Sequence, residues 1–305
     1  MSAPPVAGPV DLGRGLVVQN AVGLASGTAG YGFEIGQLMD LNTVGALYTK
    51  GTTPQPRPGN RPPRVAETDG GMLNSIGLQN PGIDRVVDEY APVFASWRCA
   101  VVVNVAGSSV NDYVHCARRI GDAQGIAAIE LNISCPNIAH GMDFGVDPAQ
   151  AGRLVVAVRE ATSLHLMVKL TPNVADIAAV ARAAEDAGAD SVSAVNTFVG
   201  TKLRRDDGRP VLPGGTGGLS GPAIRPLALA AVARVCEAVR IPVVGVGGIV
   251  DTDSALDFFA AGCAAIQVGT ANFVDPSSAA RIAAGLGARA QESSPRGVLA
   301  ETSRW

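Results

Sequence analysis

Apolar runs of five to nine residues recur along the chain, and between them apolar positions fall on one face of a helix. The runs are VGLAS (22–26), VGALYTK (44–50), AVVVNVAGS (100–108), AAIELNIS (127–134), LMVKL (166–170), SVSAVNT (191–197), IPVVGVGG (241–248) and AAIQVGTA (264–271). Several are continuously apolar rather than alternating, the pattern of strands buried on both faces of a parallel sheet. The clearest helical segment is DIAAVARAAEDAG, with Ile177, Val180, Ala181 and Ala184 at i, i+3, i+4 and i+7 and Gly188 as its stop. A second, DTDSALDFFAAG, starts on Asp and Thr and stops at Gly262.

These two units share a rhythm of helix, AG, two-residue turn, apolar strand and a polar or glycine-rich tail, so that AEDAGADSVSAVNT overlays FFAAGCAAIQVGT. Eight such units predict a (β/α)8 TIM barrel, an α/β fold of one domain over residues 1–305. Residues 1–20 are expected to close the barrel, and about 286–305 to form a C-terminal tail. A doubly wound open sheet would announce a glycine fingerprint at its first βα turn, which GLASGTAGYG does not match. The Pro- and Gly-rich segment 51–81 predicts a long loop inserted at one barrel end rather than a domain boundary.

Composition narrows the function classes. The 305 residues are 47% hydrophobic and carry a net charge of −3, so there is a large core and no basic footprint for nucleic acid or an anionic membrane. No stretch approaches the roughly 18 apolar residues of a membrane span. MSAPPVAGPVDLGRG lacks the basic and apolar regions of a signal peptide, and the expectation is a soluble cytoplasmic protein. Cys99, Cys116, Cys135, Cys236 and Cys263 include no C-x-x-C pair, and His115, His140 and His165 are isolated, so no metal site is expected.

The candidate chemistry lies at the strand ends, where barrel active sites are built. Six of the eight runs end in Ser26, Lys50, Asn104, Asn132, Lys169 or Asn196, the last followed by Thr197. One such residue could simply reach solvent, but Asn and Lys are depleted in strands and a buried Lys without a partner is costly. Together they describe a rim of neutral hydrogen-bonding groups with two cations, suited to a flat, amide-rich, anionic ligand. The seventh and eighth runs end instead in Gly247 with Gly248 and Gly269 with Thr270, and GGTGGLSGPAIRPLAL opens a helix. Backbone N–H groups freed by glycine at this position suit a phosphate. Cys135, in LNISCPN, follows a strand and precedes Pro136; taken alone it reads equally as a buried structural thiol or a functional one.

The ordered motifs LASGTAGYG, YTKGTT, GMLNSIGLQNPG, VNVAG, LNISCPN, VKLTPN, VNTF, GGTGGLSGPAIRPLAL, VGVGGI and VGTANF cover essentially the whole chain. In them it resembles the class 1 dihydroorotate dehydrogenases, most closely the type B catalytic subunit. The resemblance implies an FMN barrel that oxidises (S)-dihydroorotate to orotate in pyrimidine biosynthesis. FMN would contact Ser26, Lys50, Gly51, Asn104, Asn132, Lys169, Val195, Gly221, Gly247, Gly248, Gly269 and Thr270. The substrate would contact Lys50, Asn74, Ser75, Ile76, Gly77, Leu78, Asn132, Asn137, Asn196 and Thr197. Cys135 would be the base and Lys169 would stabilise charge on reduced FMN. A cysteine in NISCPN, where class 2 carries serine, supports class 1. NISCPNIAHGMDFG is more like type B, which reaches NAD through a partner subunit carrying FAD and a [2Fe–2S] cluster; this chain shows motifs for neither. The family implies a homodimer at minimum, and type B a heterotetramer. Alternatives are a fumarate-using type A enzyme, another FMN barrel acting on a pyrimidine, a non-catalytic flavin subunit, or a flavin-free phosphate-sugar isomerase.

Overall fold

A computed structural model of the chain describes residues 8–121, 123–134 and 144–292. Eight strands close into a barrel: β1 (Val22–Leu24), β2 (Ala46–Tyr48), β3 (Ala100–Val105), β4 (Ala128–Asn132), β5 (His165–Leu170), β6 (Ser191–Ala194), β7 (Val243–Val246) and β8 (Ala265–Val268). The barrel strands follow chain order around the ring, with β8 closing on β1, and every pairing is parallel. This is the predicted (β/α)8 barrel; each strand falls within one of the apolar runs except β5, which begins one residue before its run, at His165.

The outer layer includes α1 (Val110–Ile120), α2 (Pro148–Arg159), α3 (Ile177–Asp186), α4 (Arg225–Ala238), α5 (Thr252–Ala260) and α6 (Ser278–Glu292). Local chemistry sets their starts. The Asp176 carboxylate accepts from Ala179 N–H at the head of α3, and Asp251 with Ser254 forms a reciprocal capping box on α5. On α3 the residues buried against the barrel are Ile177, Val180, Ala181 and Ala184, the stripe expected from their spacing.

Two segments differ from expectation. Part of the 51–81 insertion is a hairpin, 65–68 with 71–74, which joins 217–220 and 198–200 in a four-stranded antiparallel sheet. Residues 286–292, expected in a tail, complete α6 and bury Leu286 against the core. At the opposite end, an N-terminal hairpin pairs Val10–Asp11 with Val17–Val18 and buries Leu12 and Leu16. Its Gly13 carbonyl accepts from His165 Nδ1 at the start of β5, at 2.9 Å.

Alternation along β4 sorts the barrel into two environments. Ile129 and Leu131 occupy one face of the strand and join the apolar cluster; Glu130 and Asn132 occupy the other. Glu130 is fully buried and accepts from the equally buried Asn104, Ser193 and Gln267 side chains, so the barrel interior holds a polar centre inside an apolar shell.

Candidate active site

A cavity of about 570 Å³ opens at the C-terminal ends of the strands. Its volume falls within the roughly 300–1,000 Å³ of small-molecule and cofactor sites. Ser26, Lys50, Gly51, Asn132, Lys169, Val195, Gly221, Gly247, Gly248, Gly269 and Thr270 line it together with Asn74, Ile76, Gly77, Leu78, Asn196 and Thr197. These positions come from seven of the βα junctions and from the inserted sheet, which supplies Asn74 and, at the mouth, Val65 and Met72. Among the described residues, two of the expected positions are not in the lining. Asn104 is fully buried, its Nδ2 donating to Glu130 Oε2 at 2.5 Å, with its Oδ1 against Gly51. Ser75 instead meets Asn60, whose Nδ2 donates to its hydroxyl at 3.0 Å. Cys135 and Asn137 lie outside the described residues, as does His140.

The polar groups are held in place by one another. Asn196 Nδ2 donates to Asn132 Oδ1 at 3.2 Å, and the Asn132 backbone carbonyl accepts from the Tyr113 phenol Oη at 2.7 Å. Lys169 Nζ donates to Ser26 Oγ at 3.3 Å and lies 4.0 Å from Glu130 Oε2. Lys50 is half-buried; burial lowers its pKa, the Arg64 charge adds to that, and Glu34 opposes it. The Gly77–Leu78 turn has φ +75° and +53°, the second unusual for a side chain bearing a Cβ, and both residues line the cavity.

One wall is nearly bare backbone. Gly221 (φ +98°) and Gly248 (φ +74°) adopt conformations that L side chains rarely reach. A Cβ on Gly248 would sit 2.8 Å from Arg225 Cβ and 2.9 Å from the Gly221 carbonyl. Gly221 immediately precedes the turn 222–224 that leads into α4, and Thr270 Oγ1 bonds Ser220 Oγ at 2.8 Å across the same wall. The N–H groups of Ala223, Ile224 and Arg225 at the helix entrance already donate to the Gly70, Gly221 and Pro222 carbonyls. The part of this wall suited to a phosphate is the lining backbone of Gly247, Gly248, Gly269 and Thr270, with the Ser220 and Thr270 hydroxyls beside it.

The described cysteines lie away from the cavity lining. Burial pushes the Cys99 and Cys116 thiols up to about 12. Cys263 is buried and faces the half-buried Cys236. Among the described residues no cluster of three or more His, Cys, Asp or Glu side chains could hold a metal, and no helix is long and apolar enough to cross a membrane.

Several lining positions were not foreseen, including Thr28, Ser220, Ile249 and Phe273. Glu130 was also missed, although a glutamate inside the apolar run AAIELN was a visible anomaly, since a carboxylate is almost never fully buried unpaired.

A closed parallel barrel with a glycine-walled, amide- and lysine-lined cavity at its C-terminal face has the architecture of a TIM-barrel enzyme. Residues 14–289 match the family model described as dihydroorotate dehydrogenase. The chain belongs to the dihydroorotate dehydrogenase family. It is 48% identical over 278 residues to the dihydroorotate dehydrogenase B (NAD(+)) catalytic subunit of Porphyromonas gingivalis, covering 91% of both chains. It is 49% identical over 271 residues to the protein of that name from Geobacter sulfurreducens, covering 88% of this chain and 89% of the relative. The corresponding protein of Geobacillus kaustophilus is 48% identical over 263 residues, 86% of this chain and 84% of its own.

Proposed function

We propose that the chain oxidises (S)-dihydroorotate to orotate as an FMN-dependent catalytic subunit, with NAD as the final acceptor reached through a separate subunit carrying FAD and a [2Fe–2S] cluster. The observation that carries this reading is the cavity itself, which gathers Lys50, Asn74, Asn132, Lys169, Asn196 and the glycine wall around one space. The relatives named as NAD(+)-linked type B catalytic subunits support the choice of acceptor.

The residues present fit FMN. The wall formed by Gly221, Gly247, Gly248, Gly269 and Thr270 brings bare backbone to the cavity where a phosphate can meet N–H groups, and a Cβ at Gly247 or Gly248 would collide with Ala228 or Arg225 behind that wall. The far end of the cavity offers Lys169 and the paired Asn132 and Asn196 to a ring rich in amides. When bound, FMN supplies the hydride acceptor that no protein side chain provides.

The chain's own groups bind, orient and move the proton. Lys50 and the asparagines Asn74, Asn132, Asn137 and Asn196 hold the substrate carboxylate and ring amides, and each partner left unmade in such a site is expensive. Lys169, buried yet lining the cavity, places positive charge where negative charge develops during oxidation. Cys135, three residues beyond Asn132, takes the proton from C5 while the hydride leaves C6, so that the ring C5–C6 bond becomes double. A thiol with an ordinary pKa of about 8.5 needs only a small downward shift to act as a base near neutrality.

The test is anaerobic addition of dihydroorotate to the purified chain. Bleaching of a yellow flavin spectrum is the expected result, and a colourless protein overturns the reading. Cys135→Ala should slow the bleaching by about 10²- to 10⁴-fold with FMN still bound, whereas Cys99→Ala leaves the rate unchanged; equal behaviour of the two variants removes Cys135 from the mechanism. Co-purification with the electron-transfer subunit should then confer NAD+ reduction, and turnover with fumarate by the chain alone would indicate type A instead.

A further inference from the structure

Beneath the cavity floor, one carboxylate ties five barrel strands together. Glu130 on β4 has no solvent exposure. Its Oε1 accepts from Ser193 Oγ on β6 at 2.7 Å and from Gln267 Nε2 on β8 at 2.9 Å; its Oε2 accepts from Asn104 Nδ2 on β3 at 2.5 Å and lies 4.0 Å from Lys169 Nζ on β5. All the hydrogen-bond partners are donors, which suits an acceptor-only carboxylate. Glu130 is two residues before Asn132 on the same face of β4, so it lies directly under a cavity-lining residue without lining the cavity itself.

A buried carboxylate of this kind is not needed to fill space. An apolar side chain of similar volume would satisfy a barrel core, and replacing buried ionic groups by well-packed apolar ones is often neutral or stabilising. What an apolar residue could not do is hold the two polar side chains above it. Lys169, only 4% exposed, has Ser26 Oγ on one side and the Glu130 carboxylate below it. Asn104 is turned down onto Glu130, and its Oδ1, with no partner of its own, faces Gly51 in the cavity wall.

We propose that Glu130 is a positioning residue of the cofactor site: its carboxylate anchors Lys169 and Asn104 from below and supplies a buried counter-charge that sets the reduction potential of the bound flavin. This rests on the FMN reading above. Two-electron reduction adds negative charge to the cofactor. In a site of low dielectric, a fixed anion one side-chain layer away opposes that charge, and it also offsets the Lys169 ammonium that favours it. Removing the anion leaves Lys169 uncompensated, so reduced flavin becomes easier to form. The protein thus trades driving force for dihydroorotate oxidation against the ability to hand the electrons onward.

The experiment compares the FMN-loaded wild-type chain with Glu130→Gln and Glu130→Asp by spectroelectrochemical titration, alongside FMN affinity from fluorescence. In Glu130→Gln we expect FMN to remain bound and the two-electron midpoint to move positive by the equivalent of about tenfold in the reduction equilibrium, roughly 30 mV. Glu130→Asp keeps the charge but draws it back by one methylene, and should shift the midpoint in the same direction by less. Should Glu130→Gln fail to fold, the Asp variant alone decides, by a positive shift or none. Variants that bind FMN at the wild-type potential overturn the role of Glu130 and leave the FMN reading intact. A wild-type chain that takes up no FMN overturns the FMN reading itself, and the proposal with it.

Discussion

At the scale of single residues, two chemically simple features do most to shape the site: the absence of a Cβ along one wall, and amide and ammonium groups with nowhere to go but inward. Gly248 shows the first. A methyl group there meets Arg225 Cβ at 2.8 Å and must be carried at φ +74°, a backbone region costing about 1–2 kcal/mol for a residue with a Cβ. We therefore expect Gly248→Ala to weaken FMN binding by about tenfold or more, or 1.4 kcal/mol, measured by flavin fluorescence; unchanged affinity would show that the phosphate does not use this wall. Polar strand ends made the second feature legible in the sequence, since Ser26, Lys50, Asn132, Lys169 and Asn196 all reach the cavity. Asn104 carries the same residue type in the same apparent position, yet it turns below the floor to Glu130. Strand periodicity tells which face a side chain takes but not how deep in the barrel it ends, because depth depends on the stagger between strands.

The same contrast holds for whole elements. Helices announced by an apolar stripe and a capping residue form where the pattern places them, because both signals act within one or two turns. In α5, Ser254 N–H donates to Asp251 Oδ1 at 2.8 Å and Asp251 N–H donates to Ser254 Oγ at 3.0 Å. Asp251→Ala should cost about 1 kcal/mol and lower the melting temperature by about 2 °C, while Asp251→Asn, which still accepts, should recover most of it; a melt unchanged by the alanine would mean the cap contributes nothing. The four-stranded sheet at the cavity mouth left no comparable trace. Its strands are three or four residues long, and 71–74 pairs with 217–220 across more than half the barrel sequence. Short strands of mixed polarity among Gly and Pro read as loop until a distant partner completes their hydrogen bonds.

For the molecule as a whole, the N-terminal end of the barrel is closed by ionisable groups far from the cavity. Asp190 accepts from Arg14 Nε at 2.7 Å and Arg159 Nη1 at 2.9 Å, and Arg159 Nη2 donates to the Thr162 carbonyl. Beside them His165, 3% exposed, donates from Nδ1 to the Gly13 carbonyl, with Nε2 against Ser191 Oγ at 2.7 Å. Burial lowers its pKa from the ordinary value of 6.5; Gly13 and Asp190 oppose that shift, and Arg159 and Arg14 add to it. Because the unfolded chain then binds the proton more readily than the folded one, this group contributes stability above about pH 6.5 that is lost as pH falls through that value toward the lower folded pKa. Urea titrations from about pH 7.5 down to about pH 5.5 should show this fall, and His165→Gln should flatten it. An unaltered slope in the variant would assign the acid sensitivity to other groups.

By itself, the sequence determined the eight-fold strand–helix order, the parallel barrel, the start and stop of its best-marked helices and the residue types at its functional end. Those follow from hydrophobic period, capping and turn chemistry, which act over a few neighbouring residues. Only the tertiary structure decided which strand-end residues share the cavity and which pass beneath it, that a loop-like insertion pairs into a sheet at the mouth, and that Glu130, isolated in an apolar run, meets donors from β3, β6 and β8. Those outcomes depend on the closure and stagger of the whole barrel, where residues more than a hundred positions apart become neighbours and a buried charge finds its partners.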